Sequence, residues 1–231
     1  MKEKCEGIVE WFKQDEGYGS ILIDGKEDSH VFVHFSSIAP DSSRIFLYYK
    51  ESLLYGLEGE NKMEVIIRAV EIQDAKAIHR ICIQNDVLPY MVFLPSMRID
   101  AMENRIRNLA PNQFEFVAEY DGQVVGFVGL TQGQGRRSHS GDLFIGVDSG
   151  YHNKGIGKAL LTKMLDLADN WLMLERVELG VLEINPGAKA LYEKFGFKDE
   201  GIKKGSLKSH GKFIDELMMS RFRPNGLITH T

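Results

Sequence analysis

The most informative stretch of the sequence is Tyr151-His152-Asn153-Lys154-Gly155-Ile156-Gly157-Lys158, because it joins a strand-like run to a strongly periodic helix. The run before it, residues 143–147, is short and apolar and ends in the turn-forming sequence Asp148-Ser149-Gly150. After it, apolar residues recur at helical spacing over residues 156–171, with one polar interruption at Lys163. A turn that opens a helix points several backbone N–H groups at one place, where a phosphate or diphosphate can bind. Glycines at such a turn also have a purely conformational explanation, and this stretch alone leaves both open.

A second strand and helix follow further along the chain. Residues 176–182 predict a strand, and the next helix is predicted to begin with Asn185 as its cap and Pro186 in its first turn. Gly196, a residue type that commonly terminates helices, predicts its end. One side of this helix is apolar and carries Ala188, Leu191, Tyr192 and Phe195.

Two motifs, His152-Asn153-Lys154-Gly155-Ile156-Gly157 and the segment from Asn185-Pro186-Gly187-Ala188 to Gly196-Phe197, together resemble the GNAT superfamily of acetyl-CoA-dependent N-acetyltransferases. The resemblance covers residues 63–223. His152 departs from the pattern, because the superfamily usually has Gln or Arg there. The charge of a histidine changes near neutral pH, which implies weaker or pH-dependent phosphate binding. Shorter motifs are similar to the branch that contains L-amino-acid N-acetyltransferases; they are residues 136–139, 147–149, 169–172, 176–179 and 213–215.

The resemblance implies acetyl-CoA as cosubstrate and a binding site for it. The strand before the turn is implied to offer backbone amides to the pantetheine arm and to the thioester oxygen, and Tyr192 is implied to protonate the sulfur of coenzyme A. A buried tyrosine with a satisfied hydroxyl is the alternative for Tyr192, and Asn185 is first of all a helix cap. The implied coenzyme-binding residues are Phe144, Ile145, Gly146, Val147, His152, Asn153, Lys154, Gly155, Ile156, Gly157, Lys158, Asn185 and Tyr192.

The general base is a separate question, which no spacing in the sequence answers. The attacking amine must be neutral, and an α-amino group with a pKa of about 8 needs only a base of moderate strength. His139 is the first candidate and Asp142 the second, because they lie at the start of the central strand, where the superfamily often has an acidic residue. A solvated loop residue is the alternative for His139. Glu178 and Glu183, on the next strand, are further candidates, and no Cys/His cluster has the spacing of a metal site.

Periodicity predicts the remaining elements of this larger region. The order β-α-α-β-β-β-α-β-α-β-β is that of the GNAT fold, an α+β fold in which helices flank a mixed, mostly antiparallel sheet in three layers. Asp121-Gly122 predicts a tight hairpin between two of its strands. The further predicted strands are residues 64–70, 114–120, 123–130, 196–201 and 212–220, the helices are residues 72–84 and 99–109, and residues 131–141 are predicted to be a polar loop.

The beginning of the chain has a different pattern, with short strands predicted at residues 8–12, 19–23 and 30–35. These strands resemble a cold-shock domain, an OB-type barrel that stacks single-stranded nucleic acid on aromatic side chains. Glu16 and Ser20 stand where that family usually has Lys and Phe, so we expect weak nucleic-acid binding or none. The implied nucleic-acid contacts are Trp11, Tyr18, Phe32, His34 and Phe35.

These patterns divide the chain into a cold-shock-like segment (residues 1–40), degenerate strands or a linker (41–62), an acetyltransferase domain (63–224) and a tail (225–231). A five-stranded barrel needs two strands beyond the first three, and the second segment lacks the family's continuation. A frame-shifted remnant is the alternative explanation. Residues 58–63 can all be encoded by purine-rich codons, as a ribosome-binding sequence before a start at Met63 would be.

Composition favours an ordinary cytoplasmic enzyme. Of the 231 residues 43% are hydrophobic, the two cysteines exclude a disulfide framework, and we find no membrane-length apolar run or signal region. Through residue 60 the chain has six Lys/Arg against twelve Asp/Glu, which counts against nucleic-acid binding. The favoured function is acetylation of a small-molecule amine, in the first place the α-amino group of a free amino acid, without a membrane partner. The alternative is a single-stranded nucleic-acid-binding protein that acetylates a ribosomal or RNA-bound protein; a homodimer stays open by resemblance.

Overall fold

The computed structural model describes residues 7–13, 18–23, 30–34, 55–56, 64–209 and 211–228. The chain divides into two compact units, residues 1–53 and 54–231. In the first unit, β1 (Gly7–Lys13), β2 (Tyr18–Ile23) and β3 (His30–His34) form a three-stranded antiparallel sheet in the order β1-β2-β3. The three strands predicted from the alternating sequence are therefore present.

Several predictions for the first unit fall outside the described part of the chain. The side chains of Trp11, Tyr18, Phe32 and His34 are not described, and neither is Phe35. Most of residues 41–62 also lies outside, including the purine-rich segment. The nucleic-acid-binding prediction and the domain boundaries therefore remain predictions from sequence.

The second unit is built on one eight-stranded sheet. Its strand order is β10-β11-β9-β8-β7-β6-β5-β4, and every neighbouring pair is antiparallel except β8 and β9, which are parallel. The strands are β4 (Tyr55–Gly56), β5 (Glu64–Ala69), β6 (Gln113–Tyr120), β7 (Gln123–Gln132), β8 (Ser140–Val147), β9 (Arg176–Leu182), β10 (Lys198–Ser209) and β11 (Lys212–Phe222).

Helices cover both faces of this sheet. The helices are α1 (Ala75–Cys82), α2 (Ile99–Arg107), α3 (Ile156–Asp166) and α4 (Pro186–Lys194). Because side chains alternate along a strand, neighbours such as Val117 and Ala118 of β6 enter different apolar clusters. Helices α1 and α2 pack in one cluster with Val117, whereas α3 and α4 pack in the other with Ala118. The predicted three-layer α+β architecture is confirmed.

The boundaries differ from the predictions in a few places. The first predicted helix begins with a 3₁₀ turn, Ile72–Asp74, and α3 continues as a π-helical turn, Leu167–Trp171. Lys163, the polar interruption in the apolar pattern, is buried, and its Nζ lies 5.9 Å from the centre of the Phe116 ring. A lysine can be buried here because its long aliphatic stem packs like an apolar side chain. No helix within the described ranges is both long and apolar enough to cross a bilayer.

One feature of the sheet positions the site. The parallel strands β8 and β9 are paired at only three positions, which end with Asp142 opposite Glu178. Both strands continue beyond this point, to Val147 and Leu182, without further pairing to each other. The strands therefore part, and the backbone edge of β8 that would face β9 is left open.

Candidate active site

A cavity of about 1840 Å³ lies where β8 and β9 part. It is lined by β8 and β9, by the beginning of α3, by α4 along its length, by the segment after α1 and by the β10–β11 hairpin. Ordinary ligand pockets have volumes of about 300–1,000 Å³. The cavity therefore has room for a large coenzyme together with a second, smaller ligand.

The first turn of α3 forms one end of this cavity. Asn153 and Gly155 both have left-handed backbone angles, with φ of 59° and 82°, and turn the chain into the helix. The first intrahelical hydrogen bond runs from the Ala159 N–H to the Gly155 carbonyl at 3.0 Å. The three amides before it, at residues 156–158, have no intrahelical acceptor and can bind an anion. Gly157 also brings α3 close to α4, since a β-carbon there would lie 3.0 Å from Leu191 Cδ2.

The turn before these amides is held from α1. Asp148 Oδ1 accepts a hydrogen bond from the Gly150 N–H at 3.0 Å, and Asp148 Oδ2 lies 3.2 Å from Arg80 Nη2. Gln84 Oε1 accepts a hydrogen bond from the Ser149 N–H at 2.9 Å. The sequence gives no signal for Arg80 or Gln84, because their partners lie more than sixty residues away.

The side chains of the turn hold the loop itself. Nε2 of His152 lies 3.0 Å from the Val147 carbonyl oxygen and can only donate to it. Lys154 Nζ donates to the Gly150 carbonyl at 2.9 Å and lies 4.9 Å from the Tyr151 ring centre. Lys154 does not line the cavity, whereas the other residues predicted to bind the coenzyme do. The groups at the start of α3 that could bind an anion are therefore mainly backbone amides.

Asn185, the N-cap of α4, and Tyr192, within α4, both line the cavity. Oδ1 of Asn185 accepts a hydrogen bond from the Ala188 N–H at 3.1 Å, which is the predicted cap. Tyr192 is buried with 6% of its surface exposed, and its ring centre lies 5.9 Å from that of Phe197. Burial raises the pKa of the Tyr192 phenol well above its ordinary value, so the group stays protonated at neutral pH.

Of the four candidate bases, only Asp142 lines the cavity. His139 is exposed, and its backbone carbonyl accepts hydrogen bonds from the Glu175 and Arg176 amides at 2.9 and 3.2 Å. The Glu178 carboxylate accepts a hydrogen bond from Arg176 Nε at 2.9 Å. The geometry therefore does not support His139 as the first candidate for the base. Alternation along β8 predicts which face of the sheet a residue occupies, but it does not predict how far the beginning of the strand lies from the cavity.

The environment of Asp142 alters its acidity. Withdrawal of the carboxylate from water and the negative charges of Glu178 and Glu216 raise the pKa of Asp142, while Lys203 opposes them. Glu216 also lines the cavity and was not foreseen from the sequence. A carboxylate with a raised pKa is a stronger base, which suits proton removal from an amine.

Comparison with known proteins extends this description. Residues 82–197 match the model of the acetyltransferase (GNAT) family, and residues 5–51 match that of the 'cold-shock' DNA-binding domain. The chain is 35% identical over 161 residues to the L-amino acid N-acetyltransferase AaaT of Escherichia coli, covering 69% of this chain and 99% of the relative.

Solved structures agree with the sequence relatives. An acetyltransferase of the GNAT family from Streptococcus pneumoniae superposes with a TM-score of 0.60 at 30% identity, over 69% of this chain and 99% of that one. The spermidine N-acetyltransferase from Vibrio cholerae, in complex with CoA and spermine, superposes with a TM-score of 0.61 at 25% identity, over 69% of this chain and 95% of that one.

The residues of the cavity also fit coenzyme A. Free amides at the start of α3 can hold a diphosphate, the open edge of β8 can bind an extended arm, and the protonated Tyr192 of α4 lines the same cavity. Fold, family match and cavity agree: the chain belongs to the GNAT acetyltransferase family and is an N-acetyltransferase that uses acetyl-CoA.

Proposed function

We propose that the enzyme transfers the acetyl group directly from acetyl-CoA to the α-amino group of a free amino acid or a similar small primary amine. The supporting observation is that one cavity joins the free amides of α3 to Asp142 along the open edge of β8. The 35% identity to an L-amino acid N-acetyltransferase, over nearly the whole of that protein, supports this class of acceptor.

Acetyl-CoA supplies an activated acetyl thioester. Backbone amides of residues 156–158 bind its diphosphate, and the open edge of β8 at residues 144–147 aligns the pantetheine arm and donates to the thioester oxygen. Asn153 and Gly155 shape the turn, and His152 holds it through the Val147 carbonyl. Each of these roles requires the backbone geometry more than a particular side chain.

Two side chains move protons in this proposal. Asp142 accepts the proton that the attacking amine loses as its nitrogen bonds to the acetyl carbon. Tyr192 gives its phenolic proton to the sulfur as the carbon–sulfur bond breaks, and the proton on Asp142 returns to Tyr192 through water. The raised pKa of Asp142 and the buried, protonated Tyr192 support these assignments.

The proposal is tested by measuring thiol release from acetyl-CoA with a panel of amino acids and polyamines. We expect acceptor-dependent release with at least one α-amino acid, and heat of binding when acetyl-CoA is titrated by calorimetry. Absence of both heat and thiol release with every amine would refute the proposal.

The cold-shock match is the observation behind a second candidate function, single-stranded nucleic-acid binding by residues 5–51. We propose that this binding is weak or absent, because Glu16 and Ser20 replace a cation and a stacking ring and because the first sixty residues are acidic. Salt-dependent binding of a labelled oligo-pyrimidine tests it, and tight, saturable binding would contradict the expectation.

The division into residues 1–40, 41–62, 63–224 and 225–231 is part of the same proposal, as is a cytoplasmic location. The cold-shock match extends past the first of these boundaries, to residue 51. The nucleotide sequence tests the frame-shift alternative: without a ribosome-binding-like tract before Met63, or without cold-shock-like residues in a shifted frame, that alternative fails.

A further inference from the structure

Glu216 occupies an unusual place in the cavity wall. It lies on β11, and its carboxylate extends over the neighbouring strand β9 at Gly180. A β-carbon at position 180 would overlap Oε1 of Glu216, so this arrangement requires glycine there. Both Gly180 and Glu216 line the cavity, and the Glu216 side chain is 23% exposed.

The two oxygens of this carboxylate have different surroundings. Oε2 accepts hydrogen bonds from Ser206 Oγ at 2.5 Å and from Lys203 Nζ at 3.2 Å. Oε1 has no donor among residues 64–209 and 211–228. Lys203 is 60% exposed, and surface ion pairs of this kind contribute little energy. Ser206 and Lys203 therefore orient the carboxylate, while Oε1 remains available to a ligand.

The distance between Glu216 and Asp142 sets the spacing of the groups in a ligand that contacts both. Asp142 pairs with Glu178, and Gly180 lies two residues further along β9 on the same face. Strands lie about 4.8 Å apart and residues rise about 3.3 Å along a strand, so Asp142 and Gly180, over which the Glu216 carboxylate lies, are on the order of 8 Å apart. The negative charge of Glu216 reaches Asp142, since it contributes to the raised pKa there.

We propose that Glu216 is a specificity-determining residue whose Oε1 binds a second cationic group of the acceptor. When the reacting amine lies beside Asp142, the second, cationic group of the same acceptor contacts Oε1 of Glu216. The preferred acceptors are basic amino acids and diamines, whose second cation lies at about this distance from the reacting nitrogen. This inference rests on the proposed function, because it concerns the acceptor of the same reaction.

The test compares acceptors that differ only in charge. Arginine and citrulline have nearly the same size and one α-amino group each, but only arginine carries a side-chain cation; lysine and norleucine form a second pair. With the full chain and acetyl-CoA, we expect kcat/KM for arginine to exceed that for citrulline by about 10- to 100-fold, the range of a charge-assisted hydrogen bond. A change in the basicity of Asp142 cancels in the ratio of the two kcat/KM values, because the acetylation of arginine and that of citrulline depend equally on this base.

Two variants assign the preference to this carboxylate. Glu216→Gln keeps the shape of the side chain and removes its charge, and Gly180→Ala adds the β-carbon that displaces Oε1. We expect both variants to bring the arginine-to-citrulline ratio of kcat/KM close to one, whatever their effect on the absolute rates. Glu193→Gln on α4 is the matched control, because it removes a carboxylate outside the cavity and should leave the ratio unchanged.

A purely structural role of Glu216, in which it only joins β11 to β10, would lower the melting temperature without changing the ratio, and that result would overturn the inference. Equal rates of wild-type enzyme with both members of each pair would also overturn it. Either result leaves the acetyltransferase activity standing. Failure of every amine to release thiol would instead refute the proposed function.

Discussion

Replacing Tyr192 with phenylalanine tests the proton donor directly. The change removes one oxygen atom from a ring that is 6% exposed, lines the cavity and packs against Phe197 with ring centres 5.9 Å apart. Burial raises the pKa of this phenol above its ordinary value, so the wild-type group carries its proton at neutral pH. Tyr192→Phe therefore removes a proton donor without emptying the space that its ring fills.

The expected loss follows from the two acids involved. General acid catalysis contributes about 10²- to 10⁴-fold to a rate. A departing thiol has a pKa of about 8.5, below that of a buried phenol, so full proton transfer from Tyr192 is uphill and the gain lies near the lower limit. We expect kcat to fall about 10²-fold, or ~2.7 kcal/mol, while KM for acetyl-CoA changes little. The free energy of unfolding should change by about 1 kcal/mol or less, because the apolar ring is retained.

The assay is thiol release from acetyl-CoA at saturating acceptor, with melting temperature measured in parallel. Tyr120→Phe is the matched control, because Tyr120 is a partly buried tyrosine that packs against Tyr151 and does not line the cavity. Unchanged turnover of Tyr192→Phe, or a rise in KM for acetyl-CoA that accounts for the whole loss, would refute the assignment.

Three further predictions concern the turn and the base. Gly155→Ala forces an alanine into φ of 82°, which costs about 1–2 kcal/mol; we expect KM for acetyl-CoA to rise about 5- to 30-fold, as steady-state kinetics would measure. Gln84→Leu removes the acceptor of the Ser149 N–H and should raise the same KM about 5-fold, whereas Gln84→Glu, which keeps an acceptor oxygen, should restore it; equal values for both variants would contradict this role. Because the pKa of Asp142 is raised, kcat/KM should fall on acidification at a pH above the pKa of an ordinary aspartate. Asp142→Asn should lower the rate about 10²-fold and abolish this acidic decrease in the pH profile. An acidic decrease that is unchanged in the variant would exclude Asp142 as the base.

Local features of the second unit could be predicted from the sequence because each depends on neighbouring residues. Asp121-Gly122 adopts positive φ at both positions, as a tight hairpin requires, and Asn185 caps α4 through its own side chain. Gly155 turns the chain into α3 with a left-handed φ. In each case the residue type and its immediate neighbours in the sequence were sufficient for the prediction.

The membership of the cavity could not be predicted in the same way. Alternation suggests which face of β8 a residue occupies, but it does not tell that His139 lies outside the cavity while Asp142 lines it. No local pattern connects Gln84 with Ser149, which are 65 residues apart. Glu216 lies over Gly180 only because β11 inserts beside β9 in the sheet.

Local sequence was enough to predict the order of strands and helices in the second unit and the turn that leads into α3, since hydrogen bonds and steric limits within a few residues set these features. The point where β8 and β9 part, and the set of carboxylates that line the resulting cavity, became known from the three-dimensional structure alone. Strand order and register depend on contacts between residues far apart in the chain, and these contacts bring Asp142 of β8 and Glu216 of β11 to the same cavity.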